Sequence, residues 1–298
     1  MKKILCIVLA FCLALSATPV ALALNDDTIN DSMKEIYEAN GLLSYYEHCG
    51  DYTINAVLHD GTIEYLFADH KSNQVYRSIS SVDAETQALL SEISTWESIC
   101  KAEASSAQLI YEDDMSASGD IGFVPPAISD LQDTRADLVN LLKDEFGSQF
   151  HSNRYLDTVV RNGINVYIFD SFEYDIEYQG QKTNSASLTL QAFATLLGCK
   201  WTALGIFLGL AFGELVPANT SISYYVCMVD DARQGRINGT AYYAIAHQMA
   251  YPAFDDVNIA NDVTILFDEP LYDFYTDSQS IFESLEAIAD ETIAVYQS

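Results

Sequence analysis

The chain has 298 residues, of which 43 are acidic and 14 are Lys or Arg, so its formal net charge at pH 7 is -29. A surface this negative repels phosphate backbones and no cluster of Lys and Arg offsets it, which excludes nucleic acid as a partner. Because 49% of the residues are hydrophobic and only 19% are charged, the chain can bury a core and is not compositionally disordered.

The first 23 residues have the features of a cleavable, bacterial-type secretory signal peptide. Lys2 and Lys3 give the positive start, an apolar run follows at Ile4–Ala17, and Ala21-Leu22-Ala23 provides the small residues of a cleavage site. The run is shorter than the roughly 20 residues that span a bilayer. We therefore expect cleavage near Ala23 and release of an acidic extracellular protein.

Export makes disulfide bonds possible for the four cysteines that lie outside the signal peptide. Pairing within each half of the chain is the simplest of the three possible connectivities. The candidate pairs are Cys49 with Cys100 and Cys199 with Cys227. No C-x-x-C pair is present, so neither a redox motif nor a zinc knuckle is predicted.

The first half of the chain predicts a small module over 24–111 in which two helices flank an antiparallel meander. Asp31–Tyr46 is predicted to be helical because apolar side chains recur at helical spacing behind an Asp-Ser start. Between the first two strands, Asp60-Gly61 is a strong hairpin signal. The three predicted strands are Thr53–Leu58, Thr62–Phe67 and Gln74–Ser80. Asp83–Ala104 then predicts a helix that covers the meander.

The acidic polar segment Glu112–Pro126, which ends in Pro125-Pro126, predicts a linker over 112–129 to a larger α+β domain over 130–298. That domain begins with a predicted amphipathic helix at Asp130–Phe150 and ends with another at Ser278–Tyr296. Its predicted strands are Ile164–Phe169, Phe172–Tyr178, Ser221–Asp230, Thr240–Tyr251 and Val263–Phe267. The predicted fold class is therefore α+β: a small helix and β-meander module, followed by a larger α+β module with a buried apolar helical hairpin.

That hairpin is predicted within Leu188–Val216, the most apolar part of the chain outside the signal peptide, as two helices broken near Gly198. Its glycines, Gly205, Gly209 and Gly213, recur every four residues and would share one helix face, which would let another backbone approach closely. Burial in the core is favoured, because Lys200 interrupts the apolar run and the remainder is below spanning length. Insertion into a bilayer is the alternative, and it makes a membrane-active protein the first alternative function.

Cys199 and His247 provide the second alternative, a Cys-His hydrolase. Cys199 precedes a predicted helix and His247 lies on a later strand, which is the order of nucleophile and base in some of these enzymes. The flanking glycines and the residue that orients the histidine are not identifiable, and a disulfide at Cys199 would abolish the mechanism. The remaining histidines have no metal-binding spacing and are predicted to lie on the surface: His48, His59, His70 and His151. No cofactor is predicted.

Two oxygen-rich segments are partial matches to metal-binding loops. One set places oxygens at alternate positions, as in the opening of a calcium loop: Asp114, Ser116, Ser118 and Asp120. Pro125 stands where that loop needs a bidentate Glu, so a polar linker is favoured over a weak calcium site. The second set is Asp255, Asp256, Asn258, Asn261 and Asp262, and it has the same interpretation, because loops favour Asp and Asn.

Tyr is frequent, with 19 residues, and often occurs in adjacent pairs such as Tyr224-Tyr225 and Tyr242-Tyr243. Adjacent residues of a strand face opposite sides, so one Tyr of each pair can pack inward while the other meets solvent. Exposed tyrosines favour contacts with sugars or proteins. The sequence therefore favours a secreted, non-catalytic binding or surface-interaction protein, whose ligand is an unidentified extracellular protein or carbohydrate.

Overall fold

The computed structural model describes residues 33–112, 128–148, 150–257 and 263–298. The predicted signal peptide, the Asp114–Asp120 calcium candidate and most of the predicted linker lie outside these ranges. Within them the predicted α+β class is confirmed, with extensive antiparallel sheets. Three parts make up the fold: a meander called sheet A, a larger sheet B, and a pair of short helices between them.

Sheet A is a six-stranded antiparallel meander in which every strand pairs with its neighbours in sequence. Its strands are β1 (Met33–Ala39), β2 (Leu42–Cys49), β3 (Tyr52–His59), β4 (Thr62–Asp69), β5 (Gln74–Ser81) and β6 (Gln108–Glu112). The three predicted strands and the Asp60-Gly61 turn are confirmed. Two helices, α1 (Ala84–Gln87) and α2 (Ile93–Glu103), connect β5 to β6 where one helix was predicted.

The predicted helix at Asp31–Tyr46 is wrong, because its described residues form the hairpin of β1 and β2. Asn40 and Gly41 between them both have positive φ, at 54° and 75°. This two-residue turn matches the twist of the flanking strands, and Asn-Gly is its preferred sequence. The helical spacing of apolar residues was therefore overridden by a turn signal inside the segment.

The second half contains sheet B and the helices that pack on it. Its elements are α3 (Ile128–Phe146), β7 (His151–Arg161), β8 (Ile164–Thr183), β9 (Leu188–Thr189), α4 (Leu190–Leu197), α5 (Trp201–Leu208), β10 (Leu215–Val216), β11 (Ser221–Ile237), β12 (Thr240–Asp256), β13 (Val263–Ile265), β14 (Tyr272–Tyr275), α6 (Gln279–Phe282) and α7 (Leu285–Gln297). Sheet B has the order β13-β12-β11-β8-β7, with β14 beside β12, while β9 and β10 form a separate pair. The strands predicted at Ile164–Phe169 and Phe172–Tyr178 form one strand, β8, which continues to Thr183.

The helices α4 and α5 lie between the two sheets. Every residue of α4 is buried, as are the first five of α5. The core around them draws Val57 and Leu66 from sheet A and Tyr224 and Phe254 from sheet B. The predicted burial of this hairpin is therefore confirmed, and at roughly 1.5–3 kcal/mol for each large apolar side chain removed from water, its burial is a major source of stability.

The connection between α4 and α5 is fixed by polar contacts as well. Gly198 ends α4 with a left-handed φ of 93°. Lys200, only 3% exposed, places its Nζ 2.5 Å from a carboxylate oxygen of Glu35 on β1 and 3.2 Å from the carbonyl oxygen of Pro270. The residue that interrupts the apolar run therefore links sheet A to the loop before β14.

The prediction that three glycines share one helix face is wrong, because α5 ends at Leu208. Only Gly205 lies in the helix, where an added Cβ would stand 2.8 Å from the carbonyl oxygen of Leu210. Gly209 and Gly213 have φ values of 66° and 82° and nothing near an added Cβ. They end the helix and turn the chain, so their need for glycine is conformational.

Candidate functional site

The face of sheet A that carries α2 has an uncovered end with a line of aromatic side chains. Phe67 on β4 lies directly opposite Tyr76 on β5, and their ring centroids are 6.0 Å apart. Tyr52 on β3 stacks on Phe67 at 5.8 Å. All three are partly exposed, and we call them the aromatic row. Leu109, opposite Tyr76 on β6 and 46% exposed, continues the row to the edge of the sheet.

A cavity of about 270 Å³ adjoins the aromatic row, between the sheet and the C-terminal end of α2. Its lining residues are Tyr65, Phe67, Asp69, Tyr76, Ala104 and Ala107. The volume is slightly below the roughly 300–1,000 Å³ of most small-molecule pockets. It suits one ring of a longer ligand, with the rest lying along the row.

Polar groups at the rim of the cavity are held in place by hydrogen bonds. Oδ1 of Asp69 accepts from the backbone amides of Lys71 at 2.9 Å and Ser72 at 3.3 Å. Burial acts to raise the pKa of Asp69, but hydrogen bonds from Ser72 and Lys71 outweigh it and lower the pKa. The carboxylate is therefore charged at neutral pH and fixed in direction.

The phenol groups of the row are fixed too. The hydroxyl of Tyr76 donates to Oε1 of Gln74 at 2.6 Å, and the Gln74 amide donates to Glu112 at 2.7 Å. The hydroxyl of Tyr52 donates to Glu47 at 2.7 Å. Burial and this hydrogen bond raise the pKa of Tyr52, so its phenol stays protonated. The result is a preorganised surface in which apolar ring faces alternate with oriented hydrogen-bonding groups.

The predicted tyrosine surface is wrong for the first pair. Tyr224 and Tyr225 are 2% and 3% exposed, because sheet B is covered on both faces at this point. Tyr224 stacks on Phe254 in the core beside α4 and α5, whereas Tyr225 packs in the core beneath α3. Neither side chain can contact a ligand at the surface.

The second pair, Tyr242 and Tyr243, is half-buried beside α7. The ring of Tyr242 packs edge-on against Tyr296 at 5.1 Å, and the hydroxyl of Tyr243 donates to Asp277 at 2.8 Å. The aromatic row was missed although its signal was present. The Asp60-Gly61 turn fixes the register of β3 and β4, which places Phe67 opposite Ile54 and diagonal to Tyr52.

The structure does not bring Cys199 and His247 together. Cys199 is fully buried between the sheets, and burial raises the pKa of its thiol, so the reactive thiolate is disfavoured. His247 stacks on Tyr275 at 4.2 Å and lies 2.6 Å from Asp273, with Phe282 at its edge. Its neighbours belong to the core beside α7, on the other face of sheet B.

The predicted disulfide pairs are not formed, and the four cysteines of the described chain are free thiols. Cys199 packs between the sheets, whereas Cys227 points to the opposite face of sheet B and packs beneath α3. Cys100 lies on α2 and is buried against the other face of sheet A. Cys49 is half-buried at the end of β2.

His48 and His70, predicted to lie on the surface, are half-buried and belong to a hydrogen-bond chain where sheet A meets the loop after α4. The hydroxyl of Thr53 lies 2.8 Å from Nδ1 of His48 and 2.8 Å from Nε2 of His70. An added Cβ at Gly198 would stand 3.4 Å from the His48 ring, and the Tyr46 hydroxyl donates to the Gly198 carbonyl at 2.9 Å. These contacts fix the end of α4 against sheet A.

The second oxygen-rich cluster is only partly described, since 258–262 lie outside the described ranges. Asp255 accepts a hydrogen bond from Thr134 at 3.0 Å, which ties α3 to β12. Across the described residues, no group of three or more His, Cys, Asp and Glu side chains is placed to hold a metal ion. The calcium candidate at Asp114–Asp120 stays a prediction.

Comparisons with protein-family models, with curated proteins and with solved structures find no match to this chain. Among the described helices, none is by itself long and apolar enough to cross a membrane, and α4 with α5 reaches that length and composition only as a pair bent by 112°.

Proposed function

We propose that the protein is an exported, non-catalytic binding protein whose aromatic row and adjoining cavity bind a carbohydrate chain. The observation that carries this proposal is the placement of three partly exposed aromatic rings on adjacent strands, directly beside a cavity. The export part of the proposal rests on the signal-peptide pattern of the first 23 residues.

A sugar fits this surface because it presents both apolar and polar groups. The C–H face of a pyranose ring packs on an aromatic ring, whose face carries partial negative charge. Its hydroxyls both donate and accept, and the oriented carboxylate of Asp69 and the amide of Gln74 provide partners. The row crosses β3, β4 and β5 toward the edge strand β6, so a linear chain with several rings matches its shape.

The negative charge of the surface favours a neutral sugar chain as the ligand. Asp69, Glu47 and Glu112 lie around the row, and the whole chain carries a net charge of -29. Anionic polysaccharides would be repelled. With a few stacked rings at roughly 0.5–1.5 kcal/mol each beyond area burial, we expect dissociation constants between about 1 mM and 10 µM.

The two alternatives have less support. A membrane-active protein would require α4 and α5 to leave the core in which α4 is wholly buried. A Cys-His hydrolase would require Cys199 and His247 to meet, although they pack in different cores.

Calorimetric titration of the chain from Leu24 onward with neutral hexasaccharides tests the proposal. The probes are cellohexaose, chitohexaose, mannohexaose and xylohexaose. We expect at least one to bind, and Tyr76→Ala and Phe67→Ala to weaken its binding about tenfold or more, since each removes a stacking ring. Tyr155→Ala is the matched control, because Tyr155 is a 52% exposed aromatic residue on sheet B. If no hexasaccharide binds, or if the control weakens binding as much as the row variants, the proposal is wrong.

A further inference from the structure

One face of sheet B is covered at one end and open at the other. Ile222 and Tyr224 of β11 pack in the core beside α4 and α5. Further along the same face of β11, Met228, Asp230 and Ala232 are only partly buried and belong to none of the described core clusters. No described helix packs on this part of the sheet, whose opposite face carries α3 and α7.

At Ala232 the floor of this open region consists of small side chains. Ala232 on β11 lies directly between Ser171 on β8 and Ala246 on β12. Small side chains on three adjacent strands let a second backbone approach the sheet closely. We call this region, with the residues that border it, the trough.

Aromatic residues border the trough on both sides. Phe169 on β8 packs edge-on against Tyr155 of β7 at 5.8 Å, and the guanidinium of Arg236 lies 4.6 Å from the Phe169 ring centroid. On the other side, Phe274 of β14 is opposite Gln248 of β12 and is 46% exposed. The borders are therefore apolar surfaces in contact with solvent, of the kind that protein partners use.

One end of the trough has two carboxylates on the same side of the sheet. Asp230 and Glu173 lie directly opposite each other on β11 and β8. Like charges in such cross-strand positions destabilise a sheet. Burial, aided by the charge of Asp230, raises the pKa of Glu173 despite the opposing charge of His151. Burial, aided by the charge of Asp175, raises the pKa of Asp230 despite a 2.9 Å hydrogen bond from Gln248. No Lys or Arg of the described chain forms an ion pair with either carboxylate.

We propose that the trough docks an extended segment of a partner protein, with apolar side chains between Phe169 and Phe274 and a Lys or Arg between Glu173 and Asp230. Charge complementarity selects this occupant, since a cation would relieve the repulsion of the carboxylate pair. A second copy of this chain is disfavoured, because each copy carries a charge of -29. This surface is on sheet B and does not depend on the carbohydrate site.

A synthetic peptide tests the docking directly. In the sequence Leu-Ser-Leu-Ser-Leu-Ser-Lys-Ser-Lys, the extended form places Leu and Lys on one side and Ser on the other. We expect the fluorescein-labelled peptide to bind the chain from Leu24 onward in fluorescence anisotropy at physiological salt. The same peptide with Glu in place of Lys should not bind.

Two variants of the trough should weaken that binding about tenfold or more. E173Q/D230N removes the charge pair, and Ala232→Trp fills the floor. The control E85Q/E92Q removes two exposed charges on and beside the helices of sheet A, and should change binding less than about twofold. Thermal unfolding is measured as well, since E173Q/D230N should leave the fold intact or more stable.

Three results would each overturn the docking proposal. Failure of the Lys peptide to bind, or equal binding of the Glu peptide, would overturn the proposal. Equal weakening by the control would also overturn it, and would indicate nonspecific attraction of the Lys peptide to an acidic protein. Hexasaccharide binding should be unchanged in the trough variants, so the two proposals stand or fail independently.

Discussion

At the scale of single residues, the hydrogen-bond chain of His48, Thr53 and His70 makes the fold sensitive to acid. Burial lowers the pKa of both imidazoles, and for His70 the charges of His48 and Lys182 lower it further, to about 4. Asp69 and Asp51 act in the opposite direction but do not outweigh these effects. Both rings are therefore neutral in the folded protein at neutral pH.

The unfolded chain then binds more protons than the folded chain between the ordinary His pKa of about 6.5 and the folded value of about 4. The free energy of unfolding should fall as pH is lowered through this range, by about 2–3 kcal/mol for His70. Urea unfolding at several pH values measures it. His70→Gln should flatten this dependence, whereas His59→Gln, outside the network, should preserve it. If the free energy of unfolding of His70→Gln falls with pH as steeply as that of the unsubstituted protein, the assignment of this acid sensitivity to His70 is wrong.

The cysteines give a second residue-level prediction. Burial raises the pKa of Cys100 and Cys227 to about 12 and that of Cys199 further, so only half-buried Cys49 should react quickly with iodoacetamide in the folded chain from Leu24 onward. Unfolding in urea without reductant should expose all four thiols, counted by mass spectrometry. Fewer than four alkylations would mean that a disulfide forms after all.

Residue-level signals in the sequence located turns better than sites. Asp60-Gly61 was sufficient to predict a hairpin, because few residue pairs accept two positive φ values. His48 and His70 appeared isolated, since the cross-strand pairing that brings them to Thr53 depends on the register of three strands. Chemistry assembled across a sheet is hard to predict without that register.

At the scale of elements, the β1–β2 hairpin permits a test in which a substitution lowers or raises the free energy of unfolding depending on the fold. Gly41 has a φ of 75°, which an L residue adopts at a cost of roughly 1 kcal/mol. Gly41→Ala should therefore lower the free energy of unfolding by about this amount. In the helix predicted from sequence, the same substitution would raise it by a similar amount.

Chemical denaturation of Gly41→Ala and of the unsubstituted protein decides between these outcomes. Gly50→Ala is the matched control, since Gly50 has no positive φ and nothing near an added Cβ, and its effect should be within about 0.5 kcal/mol. A stabilised Gly41→Ala protein would contradict the hairpin.

The helical hairpin was the element most accessible to prediction. Its apolar content and the break at Gly198 predicted two short buried helices, which the structure confirms. Its glycine spacing was misleading, because Gly209 and Gly213 follow the end of α5. A repeat of four residues indicates a helix face only where the helix continues.

At the scale of the whole molecule, the two halves of the chain contribute to one core. Composition and periodicity predicted an α+β fold, but not that α4 and α5 would lie between sheets A and B. That arrangement depends on which faces meet in three dimensions. It covers Tyr224, whereas α3 covers Tyr225 on the opposite face of sheet B. The aromatic row and the trough are the exposed surfaces to which the two binding proposals assign ligands.

Hydrogen–deuterium exchange of the chain from Leu24 onward, with and without vesicles of phosphatidylcholine and phosphatidylglycerol, tests most directly whether the helical hairpin is sealed between the sheets. The backbone amides of 191–205 should be among the slowest to exchange, and vesicles should leave their rates unchanged, because these residues are already removed from solvent. Fast exchange in this segment, or added protection when vesicles are present, would contradict the sealed core and favour a membrane-active protein.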